Sequence, residues 1–174
     1  LVFNSFSAEN SLLIVILINT FITIYMTMQE RSQKYKGKYK PQNPKKYMGD
    51  SDNIIYRSMW ERRCMKYFDT NPSVLGWASE EISIPYYDTA TKKVRRYFPD
   101  FLIKVKDKNG KVKTHLIEVK PTKDLRPPVG GKGKKRSTVL YEAKTYQMNR
   151  DKFASAREWC DERNITFDIW TEKH

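Results

Sequence analysis

The residues in this chain that could do hydrolytic chemistry lie in two short stretches, Pro99-Asp100 and Glu118-Val119-Lys120. Together they offer two carboxylates and an ammonium. Residues two apart on a strand share a face, so Glu118 and Lys120 are predicted to point together, with Ile117 and Val119 pointing into a core. The turn between the stretches decides whether Asp100 joins them. A two-residue Asn109-Gly110 loop would set Asp100 opposite Val119, on the wrong face. A three-residue loop, Lys108-Asn109-Gly110 with Gly110 left-handed, sets Asp100 opposite Glu118. Their Cβ atoms would then be about 4.5–5.5 Å apart. The three-residue loop is the one expected.

Two carboxylates that close repel unless a cation lies between them, and two readings fit. In the first, Asp100, Glu118 and the Val119 carbonyl give the hard oxygen ligands that Mg²⁺ prefers, and leave it partly hydrated. Such a metal acidifies a bound water and stabilises charge on a phosphate oxygen. Lys120 would orient the water or stabilise the transition state, and Glu61 could add a carboxylate from an adjacent helix. In the second, this is an exposed strand face on which Lys120 only neutralises Asp100 and Glu118. Glu142-Ala143-Lys144 has the same E-x-K spacing on a helix, so the motif alone decides nothing. Histidine and cysteine chemistry is excluded. His115 and His174 have no ligand neighbours, and Cys64 and Cys160 read as isolated reduced thiols.

Several elements must position these groups. Ile54 to Asn71 is predicted to hold a helix. If it starts at Met59, Ser58 and Glu61 form a capping box and Glu61 has a full structural explanation; if it starts off Asp52 or Asn53, that explanation lapses. Val74 to Trp77 and Glu81 to Tyr86 read as short strands, and Val94 to Lys106 as one long run in which Phe101, Ile103 and Val105 alternate with Asp100, Leu102, Lys104 and Lys106. Val112 to Lys120 returns from the turn and ends at Pro121, which has no N–H to donate. A second helix is expected over Thr138 to Arg163, with a possible break at Asn149-Arg150-Asp151, and a last strand over Ile165 to Trp170. Tyr141 and Lys144 on that helix are read as a solvent face, the alternative being that they face the site. The order helix, three or four strands, helix, strand makes an α/β fold with a mixed central sheet flanked by helices.

The 174 residues carry 33 Lys and Arg against 20 Asp and Glu, a net charge of +13. That balance points to a polyanionic partner, most often nucleic acid. Every Lys and Arg lies at or beyond Arg31. Residues 29–53 are expected to form a basic extended arm. Lys36, Lys38 and Lys40 would meet phosphates there, with Tyr35, Tyr39 and Tyr47 free to stack on bases; the alternative is a tail lying over the domain. Residues 121–137 read as a basic loop in which Lys123, Arg126, Lys132, Lys134, Lys135 and Arg136 contact DNA. Residues 1–28 are apolar. They are expected to be upstream translated sequence with the start at Met26 or Met28, the alternatives being a membrane anchor over 12–28 or a docked helix or strand.

Set side by side, Glu61, Pro99-Asp100 and Glu118-Val119-Lys120 resemble the signature of the PD-(D/E)xK nuclease superfamily. The wider sequence is similar to the head completion nucleases of T-even-type tailed phages. That resemblance is carried by Ser32 to Pro41 (SQKYKGKYKP), Ile54 to Ser58 (IIYRS) with Trp60 and Glu61, Trp77, Ser79 to Glu81, and Ile84 to Tyr86. It continues through Arg96 to Phe98, Asp100 with Phe101, Ile117 to Pro121 (IEVKP) and Ile169 to Glu172 (IWTE).

The resemblance implies a restriction-endonuclease-like core over residues 54–172, ordered α-β-β-β-α-β. It also implies an Mg²⁺-dependent deoxyribonuclease, with Mn²⁺ able to substitute, that cuts packaged double-stranded DNA endo- and exonucleolytically at head-to-tail joining. Glu61, Asp100, Glu118 and Lys120 match its catalytic positions. Phage head and neck proteins would be its partners, the virion head-neck region and the host cytoplasm its location, with no small-molecule cofactor. Two other functions are weighed against this: a non-catalytic DNA-binding neck protein, and a nuclease of the same core in transposition or restriction. A pure binder has no need of paired carboxylates facing DNA.

Overall fold

The structure is a computed structural model that describes residues 36–131 and 133–172. The apolar segment 1–28, the start of the arm and Lys132 lie outside the described residues. Among those described, no helix is long and apolar enough to cross a membrane.

Four strands form the central sheet: β3 (Val74–Ser79), β6 (Phe101–Lys106), β7 (Val112–Val119) and β8 (Thr166–Trp170), in the order β3-β6-β7-β8. The first two pairings are antiparallel and β7–β8 is parallel, so the sheet is mixed. Helix α1 (Met59–Thr70) precedes β3, and helix α2 (Arg136–Asp161) makes the crossover from β7 to β8. This is the predicted order and a restriction-endonuclease-like arrangement. Two small ribbons are added: β1 (Gly37–Lys38) with β2 (Ile55–Tyr56), and β4 (Ile84–Asp88) with β5 (Lys93–Tyr97).

Alternation along the strands divides the interior into two cores. Phe101, Ile103 and Ile117 face α1, where Met65, Phe68 and Trp77 are buried with them. Leu102 and Leu116 face α2, packing with Ala156, Cys160, Tyr86 and Tyr97. Both faces of β7 are therefore covered, and Leu116, Ile117 and Glu118 are buried in succession. The exposed strand face considered for Glu118 does not exist.

Three further expectations are corrected. The run Val94 to Lys106 is not one strand: Phe98–Asp100 interrupts it, sending β5 to the ribbon and β6 to the central sheet. Buried Pro99 sits at the break, where it can donate no ladder bond. Helix α2 runs unbroken through Asn149-Arg150-Asp151 and begins at Arg136, inside the stretch read as loop.

The described part of the arm is packed onto the domain. Buried Asp69 on α1 accepts the amides of Gln42 (2.6 Å) and Asn43 (3.0 Å) and the hydroxyl of Tyr39 (3.2 Å). The rings of Tyr39 and Tyr47 meet Trp77 edge-on. Tyr47 is a buried core residue and half-buried Tyr39 packs against the same core, so neither is free to stack on bases.

Candidate active site

The turn at the end of β6 sets the site. Asp107 accepts the Gly110 amide, and Gly110 takes φ +80, the left-handed conformation a three-residue loop requires. The resulting register pairs Phe101 with Ile117, and one step further sets Asp100 across from Glu118. Asp100 then reaches past the end of the ladder, and its Oδ2 accepts the Val119 amide at 2.7 Å.

Glu118 is 3% exposed, and both of its oxygens are engaged. The Tyr97 hydroxyl donates to Oε2 at 2.6 Å, and the Lys120 ammonium meets Oε1 at 2.8 Å. Lys120 is fixed in turn by its own amide, which donates to the Trp170 carbonyl at 2.8 Å.

The electrostatics follow from this crowding. Burial, reinforced by the Glu118 charge, holds the Asp100 carboxyl well above the usual carboxylate range, against the pull of Lys120 and the Val119 amide. Burial alone would lower Lys120, but Glu118 and Asp100 outweigh it and the ammonium is held above its ordinary range. Burial and the Glu118 charge likewise push the Tyr97 phenol up, keeping it a donor.

Glu61 occupies the first turn of α1, which does start at Met59. Its amide donates to Ser58 Oγ at 3.1 Å. Its Oε1 accepts the Ser58 hydroxyl at 2.9 Å and its Oε2 the Arg57 amide at 2.6 Å. Glu61 is therefore the reciprocal partner of a cap, yet near enough to Asp100 for its charge to raise that carboxyl. Beside it, Arg57 holds Glu80 with two hydrogen bonds of 2.9 and 2.6 Å, and the Glu80 amide donates to the Asp100 carbonyl.

Among the described residues no three His, Cys, Asp or Glu side chains converge as a metal cage. The carboxylates that the fold does bring together, Asp100 and Glu118 beside Val119, are a smaller donor set. Its oxygens are hard, and the cost of enclosing two carboxylates is what a cation between them would relieve.

The predicted phosphate contacts are spread over the surface. Lys36, Lys38, Lys40, Lys123, Arg126, Lys134, Lys135 and Arg136 are all exposed. Lys134 is paired with Glu142, which discounts its charge. Tyr141, 72% exposed, lies on the solvent face expected for it. Two residues at the site escape sequence reading: Tyr97, which orients Glu118, and Lys152 on α2, whose ammonium lies over the Tyr97 ring. Tyr97 stands three positions before Asp100 and could have been suspected from that; Lys152 carries no local signal.

The chain is similar in sequence to known nucleases. The family described as "TnsA-like endonuclease N terminal" matches residues 71–172, a span that holds Asp100, Glu118 and Lys120 and excludes Glu61. The chain is also similar to the "Head completion nuclease" of Enterobacteria phage T4. The two are 41% identical over 143 residues, which cover 79% of this chain and 91% of that protein.

Proposed function

The chain belongs to the TnsA-like endonuclease family, and from that premise we propose that it is a divalent-metal-dependent deoxyribonuclease acting in phage head completion. The observation that carries the reading is the Asp100–Glu118 pair, two carboxylates enclosed at one end of a strand pair with Lys120 beside them. Asp100, Glu118 and the Val119 carbonyl would hold the cation, Mg²⁺ or Mn²⁺. It would supply an acidified water and charge neutralisation at a phosphate.

The protein's own groups do the rest. The Val119 amide fixes one Asp100 oxygen, and the other would be the one offered to the cation. Tyr97 and Lys120 hold Glu118 in a single orientation, so little reorganisation is needed when substrate arrives. Lys120 is protonated at neutral pH and can stabilise negative charge developing on the phosphate. Glu61, anchored in the cap, adds negative potential near Asp100 and serves as a further ligand or base.

The substrate is double-stranded DNA, drawn to the surface by the net charge of +13. Endo- and exonucleolytic cutting, contact with phage head and neck proteins, and a place in the virion and infected cell complete the proposal. The similarity to the phage T4 head completion nuclease supports the place in head completion, and the family description supports endonucleolytic cutting. Plasmid cleavage in Mg²⁺ tests the site, comparing wild type with Asp100→Ala, Glu118→Ala and Lys120→Ala. Wild type should nick and linearise the plasmid while each variant loses on the order of 10²-fold or more in rate. Four equal rates would place the active site elsewhere.

A further inference from the structure

The cations around this site are mostly committed. Lys120 is bound to Glu118, Arg57 to Glu80 and Arg95 to Asp88. Lys152 is the exception. Its ammonium lies 5.5 Å from the centre of the Tyr97 ring and 5.8 Å from that of Tyr86. It makes no ion pair among the described residues.

The perch is rigid. Both rings belong to the β4–β5 ribbon and are nearly fully buried, at 3% and 4% exposure. The Tyr97 hydroxyl is tied to Glu118, and Phe153, the next residue on α2, is itself buried. Attraction to two aromatic faces offsets part of the cost of desolvating an ammonium, but it accepts none of the three N–H bonds. Burial and the nearby Lys120 charge pull Lys152 below its ordinary range, while Glu118 and Asp100 pull the other way, so all four charges feel one another. A half-buried ammonium with unused donors beside two carboxylates and a committed lysine is suited to an incoming anion.

We propose that Lys152 is a substrate-contacting residue whose ammonium, steadied on the faces of Tyr86 and Tyr97, binds a non-bridging oxygen of a DNA-backbone phosphate at the active site. This rests on the nuclease reading above and gives it a division of labour, with Lys120 serving Glu118 and the chemistry while Lys152 holds the strand. The competing role is purely structural, a brace between α2 and the ribbon. A brace affects folding but not the number of phosphates neutralised.

The two are separated by binding a short duplex in EDTA over a range of salt, using wild type, Lys152→Arg, Lys152→Met and Lys152→Gln. Thermal unfolding identifies any neutral variant that has lost its fold, and the other then decides. The expected result is a salt slope shallower by about 0.9 in the neutral variants and restored by arginine. In Mg²⁺, single-turnover cleavage should fall on the order of 10²-fold in the neutral variants and much less in Lys152→Arg. Neutral variants with the wild-type slope would overturn the proposal. If wild type itself binds but does not cleave, the nuclease reading fails, and the slope difference still decides whether Lys152 holds a phosphate.

Discussion

Asp100→Asn should stabilise the metal-free protein while abolishing its function. Asp100 is held in protonation conflict by burial and by the Glu118 charge opposite. Two unit charges about 5 Å apart at an effective dielectric of about 20 repel by ~3 kcal/mol. Lys120, bonded to Glu118 at 2.8 Å, offsets part of that. Asparagine keeps an oxygen to accept the Val119 amide and removes the charge, so nothing else in the contact need change. The net gain at neutral pH should be about 1–3 kcal/mol, roughly 2–12 °C in Tm for a chain of this size.

The pH dependence gives a second handle. A carboxyl raised above its unfolded value of about 3.9 binds protons more tightly in the native state. Stability is therefore lost as pH rises from about 3.9 through the folded pKa, by at most about 1.4 kcal/mol per pH unit, and levels off above it. Thermal unfolding in EDTA from acid to neutral pH should show that decline in wild type, and its reduction in Asp100→Asn. Adding Mg²⁺ should raise the wild-type Tm with concentration and leave the variant nearly unmoved, because only the wild type gains by neutralising a pair. A variant less stable than wild type at neutral pH, or one with the same response to Mg²⁺, would refute the electrostatic account of the site.

Two further outcomes can be read in the same assays. Replacing Lys132, Lys134, Lys135 and Arg136 with Gln should flatten the salt dependence of duplex binding by up to about 4 units, and by nearer 3 if the Lys134–Glu142 pair persists; an unchanged slope would mean the loop meets protein. Glu61→Gln should cost about 1 kcal/mol through a weakened cap and slow plasmid cleavage at least 10-fold; loss of stability with full activity would leave Glu61 a capping residue only.

What could be read from the sequence was what short-range rules decide. Gly110 announced the turn, the turn set the register, and the register brought Asp100 to Glu118. Ser58 with Glu61 announced the start of α1. Alternation on β7 could not say whether its second face was covered, because that depends on α2 returning over it from further along the chain. The same distance hid Lys152 from Tyr97. The break was signalled only by Pro99 itself, because the residues on either side, Tyr97-Phe98 and Phe101-Leu102, are apolar and strand-forming. In the arm, Tyr39 and Tyr47 stood among lysines and looked solvated; their partners, Asp69 and Trp77, are 30 residues away in each case.

Each carboxylate at the site also has a structural task, and this bears on how the site must be tested. Glu61 closes the cap of α1 with both oxygens. Asp100 binds the Val119 amide at the end of the β6–β7 ladder. Glu118 accepts the hydroxyl of buried Tyr97 and so ties β7 to the ribbon. Truncation to alanine removes a hydrogen-bond acceptor together with a charge, so lost activity could reflect a displaced strand end as readily as lost chemistry. An amide deletes the charge and keeps one acceptor oxygen, which is enough for the single bond Asp100 accepts from Val119, whereas at Glu118 it can serve only one of Tyr97 and Lys120. If Asp100→Asn is inactive yet as stable as wild type or more so, charge itself is what the reaction requires. That combination of a firmer fold and a dead site is what a fold holding like charges together for function should produce.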